Sequence, residues 1–177
     1  MPKNFLPITL EEARSRGWNE LDVIIVTGDA YVDHPSYGAS IIGRVLVDAG
    51  FRIGIIPQPD WRSVKDFKVL GRAKLFFGVT AGNLDSMLAN YTPNRTLRRA
   101  DDYYWSDKVR RSILLDSKAD ILVYGMGETQ ALEIAKRLKN GNDARSLNDI
   151  KGTVIARARV DDSKIYITIP SFEEVSK

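Results

Sequence analysis

Val23–Thr27 reads VIIVT, four apolar residues and a β-branched threonine with no face left for water. A run of this kind belongs inside a parallel sheet that is covered on both faces. It stops at Gly28-Asp29, and a polar loop follows that carries the chain's only histidine, His34, between Asp33 and Pro35. From Ala39 onward, Ile41, Ile42, Val45, Leu46 and Ala49 recur at the spacing of one helix face, and Gly50 is a suitable stop. Phe51–Ile56 is a second apolar run, closed by Pro57-Gln58-Pro59. Strand, helix and strand make a βαβ unit, whose crossover is right-handed. The fold class that follows is α/β: an open, mainly parallel sheet of Rossmann or flavodoxin-like type with flanking helices. Ligands of such sheets collect where the strands end.

The remaining chain extends the pattern. Thr9 and Glu12 form a capping-box spacing for a short helix over Leu10–Arg16, within a lead-in segment 1–21 suited to covering a sheet edge or docking on another domain. Asp60 is a candidate cap for a helix over Trp61–Leu70, with Val64, Phe67 and Leu70 inward. Lys74–Thr80 reads as the third strand, and Leu84, Met87 and Leu88 start another helix. Periodicity fails between Tyr91 and Asp102. It returns over Trp105–Leu115 through Val109, Ile113 and Leu114. Asp120–Tyr124 is the next strand, and a helix with Ala131, Leu132, Ile134, Ala135 and Leu138 on one face follows it. Gly152–Arg157 and Ile165–Ile169 read as a C-terminal antiparallel hairpin, and Ser171 with Glu174 opens a last helix. A single domain over 1–177 is expected, with βα units in 22–140 and the hairpin in 152–169.

At 177 residues and 44% hydrophobic content, the chain can bury a real core. No apolar run approaches the ~20 residues of a membrane span, and the N-terminus lacks the apolar stretch of a signal peptide, so a cytoplasmic location is expected. The absence of cysteine excludes disulfides, thiolate zinc sites and iron–sulfur clusters held by this chain. One histidine argues against imidazole-rich metal sites, and the net charge of +3 does not by itself predict an anionic partner.

The strand ends supply the candidate site: Gly28 and Asp29 after the first strand, Thr80 and Gly82 after the third, and Gly125, Gly127 and Glu128 after the fourth, with His34 and Gly38 in the first loop. Glycines permit close backbone approach, and helix-start amides favour anions. Each glycine equally well does no more than end a strand. Neither GxGxxG nor a P-loop sequence is present. His34 has two readings, as a metal or corrin contact, or as a loop residue bonded to Asp29 or a backbone carbonyl. Asp29, Tyr31, Asp33 and Tyr37 are suited to an interface. Arg95, Arg98, Arg99, Lys108, Arg110 and Arg111 interleave with Tyr103, Tyr104 and Trp105, a composition that suits nucleic acid. Asp101, Asp102 and Asp107 lie among them, and a solvated, salt-bridged face is the preferred reading.

Four stretches together resemble the N-terminal region of YgiQ-type radical SAM proteins: ELDVIIVTGDAYVDHPSYGASIIGRVLVDAGFRIGIIPQPDW, KLFFGVTAGNLDSMLANYTPNR, YWSDKVRRSILLDSKADILVYGMGE and IPSFEEVSK. The resemblance covers most of the chain from Glu20 onward. It implies a cobalamin-binding-like α/β domain ahead of a radical SAM barrel, which holds a [4Fe-4S] cluster through CxxxCxxC and cleaves S-adenosylmethionine. That motif is absent here, so the partner implied is a radical SAM core outside this chain. Cobalamin domains with a histidine ligand carry DxHxxG in the first loop. Here His34 and Gly38 stand one residue too far apart, and Asp33 one residue too close to His34.

The family pattern also carries a further strand–helix unit between YTPNR and LRRADDYYWSDKV, where this chain runs almost directly from Arg95 into Thr96-Leu97-Arg98-Arg99. One strand fewer means that neighbouring strands close up or that an exposed edge remains, open to self-association. The expected function is a non-catalytic accessory domain. The alternatives are an isolated cobalamin or nucleotide binder and, last, an RNA-binding module built on Arg95–Arg111.

Overall fold

In a computed structural model of the protein, residues 5–80, 111–157 and 167–176 are described. The described elements are α1 (Leu10–Ser15), β1 (Val23–Thr27), α2 (Gly38–Asp48), β2 (Ile53–Pro57), β3 (Phe76–Thr80), α3 (Ile113–Ser117), β4 (Ile121–Val123), α4 (Glu128–Lys139), β5 (Thr153–Ile155) and α5 (Phe172–Val175). The architecture is α/β, with a parallel sheet ordered β2-β1-β3 and a second, antiparallel pair β4-β5.

β1 is central, and all five of its residues are buried. Val23 aligns with Ile53 and with Phe76, and Thr27 aligns with Pro57 and with Thr80. Alternation divides the core in two. Val23, Ile25, Ile53 and Ile55 pack with Leu46 of α2 and Ala135 of α4. Ile24, Val26 and Ile56 pack on the opposite face with Ala13, Leu21, Leu70 and Ala73. Covering the sheet on both faces is what the uninterrupted apolar run required. The chain passes from β1 to β2 through α2 and then returns to the other side of β1, so the strand order reverses between β1 and β3.

The lead-in segment ties down the outer side of β2. The Ile55 amide donates to the Pro7 carbonyl at 2.9 Å, and Leu6 is buried against the α2 side of the core. Thr9 caps α1 by accepting from the Glu12 amide at 3.2 Å.

Three expectations change. Residues 61–70 form turns and one short 3-10 segment, Asp66–Lys68, in place of a helix; Phe67 and Leu70 do point inward, whereas Val64 is exposed. In α3, Leu114 is buried but Ile113 is exposed, and Val109 lies outside the described residues. The strand of 120–124 does not extend the parallel sheet: β4 pairs antiparallel with β5, Ile121 opposite Ile155. Part of the expected hairpin, 158–166, lies outside the described residues, as does the helix expected from Leu84; residues 167–169 carry no strand assignment.

Candidate functional site

The reversal of strand order leaves a cleft at the carboxyl ends of β1 and β3. It is lined by Thr27, Asp29, Tyr31, Tyr37, Ser40 and Thr80, among others, and its described part has a volume of about 70 Å³. The Gly28 amide donates to the Thr80 carbonyl at 3.3 Å, joining the two strand ends beneath it. Thr27 is buried, and its Oγ1 accepts from the Asp29 amide at 3.2 Å. α2 begins at this edge. Its first residues, Gly38, Ala39 and Ser40, line the cleft, and the side chain of the N-cap residue, Tyr37, makes no capping hydrogen bond. The start of a helix favours negative charge through its amides and dipole.

The loop over the cleft is held by its own side chains. Asp33 accepts both arms of the Arg44 guanidinium, Nε at 3.0 Å, which ties the loop to α2. Tyr31 Oη accepts from the Leu6 amide at 2.8 Å, and the ring meets Phe5 edge-on at 6.5 Å. Burial pushes the Tyr31 hydroxyl above its ordinary pKa. Ser40 Oγ donates to the Val32 carbonyl at 2.5 Å. Tyr31 and Asp33 are therefore both engaged in hydrogen bonds within the domain.

His34 is exposed and does not line the cleft. Its Nδ1 accepts from the Ser36 amide at 3.1 Å, and its carbonyl accepts from the Tyr37 amide at 3.0 Å. The partner differs from either one anticipated, Asp29 or a carbonyl. Gly125, Gly127 and Glu128 also lie away from the cleft. Gly127 sits at the start of α4 with φ +78°, a conformation that favours glycine. A Cβ there would rest 3.5 Å from Val123 and 3.7 Å from Ile42, so its surroundings are α2 and β4. Gly82 lies outside the described residues. Of the expected loops, the structure brings together Thr27–Asp29, Tyr37-Gly38 and Thr80. Ser40 was not anticipated; a polar residue on the apolar face of α2, within its first turn, is the sequence signal that marks it.

Most of the basic segment 95–111 is outside the described residues; Arg111 is described, and it pairs with Asp116 at 3.0 Å. Among the described residues, no group of three or more His, Cys, Asp or Glu is placed to hold a metal ion. None of their helices is long and apolar enough to cross a membrane. The cysteine-free chain does not fit a thiolate-held cluster.

The fold is an open α/β domain with a cleft at its switch point. A sequence model of the family described as "Radical SAM N-terminal" matches residues 5–104 and 103–177, and the chain belongs to that family. It is similar to a UPF0313 protein of Thermotoga neapolitana, 44% identical over 98% of this chain and 38% of the relative. A UPF0313 protein of Geobacter sulfurreducens is 43% identical over 98% of this chain and 36% of its own length. One from Methanocaldococcus jannaschii is 45% identical over 97% and 36%. The chain thus spans little more than a third of the relatives it matches and corresponds to part of a larger protein type. No solved structure matches it.

Proposed function

We propose that this chain is a non-catalytic N-terminal accessory domain that lays its strand-end edge against a radical SAM core and helps to enclose substrate or cofactor. The cleft carries the reading. It lies at the switch point, is bordered by the start of α2, and has about 70 Å³ in its described part. Sites that enclose a small organic ligand run to about 300–1,000 Å³, and a second surface laid on this edge would add to the enclosure. The chemistry belongs to that second surface, because this chain has no thiolate to offer a cluster.

The test mixes this chain with the remaining C-terminal part of the Thermotoga neapolitana relative. Gly38 is the position to alter: it is exposed at the cleft, and a Cβ there meets nothing within 4 Å. Calorimetry is expected to show binding that Gly38→Arg weakens about tenfold, with an unchanged circular dichroism spectrum. Equal binding by the variant, or an iron–sulfur absorption band retained by this chain alone after anaerobic reconstitution, overturns the reading.

A further inference from the structure

A second cavity, of about 450 Å³, opens at the opposite end of β1 from the switch-point cleft. It lies beside α1, where the chain enters β1 and β3. Leu21, Leu70 and Ala73 form its apolar floor, and all three are buried. The Lys74 amide donates to the Leu21 carbonyl at 2.9 Å, and the Leu75 amide to the Asp22 carbonyl at 2.9 Å, so the two approach segments are fixed to each other. The Trp18 amide donates to the Ala13 carbonyl at 3.0 Å, which sets the aromatic wall, Trp18, against α1. The Arg16 guanidinium lies 5.3 Å from the centroid of that ring.

The lining also holds Arg14, Arg72 and Lys74. All three are exposed, and none forms an ion pair among the described residues. Glu20 is the one carboxylate of the lining, and it lies 3.9 Å from the Arg52 guanidinium. Asp22, which follows the lining in the chain, is held by Arg52 at 2.7 Å. Three cations thus face the cavity against one carboxylate that already has a cation beside it.

Concave sites of about 300–1,000 Å³, with apolar walls and a few convergent polar groups, are the ordinary form of small-molecule sites. A cleft lined by one sign of charge concentrates the opposite ion. Guanidinium groups offer forked donors that match phosphate oxygens, and an ammonium adds a point charge. We propose that this cavity binds a phosphate monoester with an aromatic body, a nucleoside monophosphate in its simplest form. The phosphate sits among Arg14, Arg72 and Lys74. The base lies over Leu21 and Leu70, beside Trp18. The site is separate from the strand-end cleft and does not rest on the role proposed for that edge.

Calorimetry on the full 177-residue chain, with AMP, adenosine and inorganic phosphate as separate probes, tests this. AMP is expected to bind about tenfold or more tightly than either of the other two. Arg72→Ala is expected to weaken AMP binding about tenfold. Lys65→Ala removes the same charge from the exposed turn outside the lining and leaves binding unchanged. Both side chains are exposed, so neither variant threatens folding. Absence of AMP binding overturns the proposal, as does an equal loss in the two variants. Inorganic phosphate bound as tightly as AMP reduces the cavity to a surface that attracts anions, and adenosine bound as tightly removes the cations from the site; either result overturns it as well.

Discussion

At the scale of single residues, Asp22 and Arg52 form a pH-sensitive pair that joins the start of β1 to the approach to β2. Asp22 Oδ2 accepts from the Arg52 amide at 2.8 Å and from its Nε at 3.0 Å, and Oδ1 accepts from Nη2 at 2.7 Å. Burial pushes the Asp22 carboxyl up, but the hydrogen bonds and charge of Arg52 outweigh it, and the folded pKa lies below the ordinary value. A depressed carboxylate stabilises the fold fully above its unfolded pKa of about 4 and loses that contribution as pH falls through the folded value. Urea midpoints are therefore expected to drop below about pH 4 in the wild type, and less steeply in Asp22→Asn. Identical acid limbs in the two proteins refute the assignment. Neither this pairing nor that of Asp33 with Arg44 was legible in the sequence, because each joins residues many positions apart whose side chains meet only after β1, α2 and β2 are placed. His34 shows the converse. Its position in the first loop was evident, yet its Nδ1 is used on the backbone two residues ahead, a local geometry that residue type does not specify.

At the scale of elements, hydrophobic pattern succeeded where burial is complete. β1, α2, β2 and α4 appear where their apolar periodicity placed them, because these elements have neighbours on the faces that the periodicity marked. The segment 61–70 failed for a physical reason. Asp60 Oδ1 accepts from the Arg62 amide at 3.0 Å, Asp66 Oδ2 from the Asp60 amide at 3.0 Å, and Ser63 Oγ from the Lys65 amide at 3.2 Å. Such side-chain bonds compete with the helical ladder. Leu70, at the end of this irregular path, still packs as tightly as any core residue. A Cβ on Gly54 of β2 would come within 2.6 Å of Leu70 Cδ1 and 2.7 Å of Leu21 Cδ1. Both leucines are buried, with little room to withdraw. Gly54→Val is expected to cost roughly 1–3 kcal/mol in chemical denaturation, the ordinary penalty for overpacking. A neutral or stabilising result would mean that the 61–73 path yields, and that it is not a fixed layer of the core.

At the scale of the whole molecule, the division into two sheets implies a division of stability. β1 is hydrogen-bonded on both sides and buried throughout, with α2 and α4 over one face and α1 with the 61–73 path over the other. β4 and β5 offer three residues each, and β4 and β5 are partly exposed along their length. A two-stranded pair of that size is marginal unless it is supported from outside. Its support here is the cluster of Ile134, Leu147 and Ile150 beneath it. Hydrogen exchange under native conditions is therefore expected to resolve two classes. Amides of Ile24, Ile25 and Val26 should exchange only by global unfolding, while those pairing β4 with β5 exchange earlier through local opening. Coincident exchange would show that the shared core, bridged by Phe76, makes the two sheets a single cooperative unit.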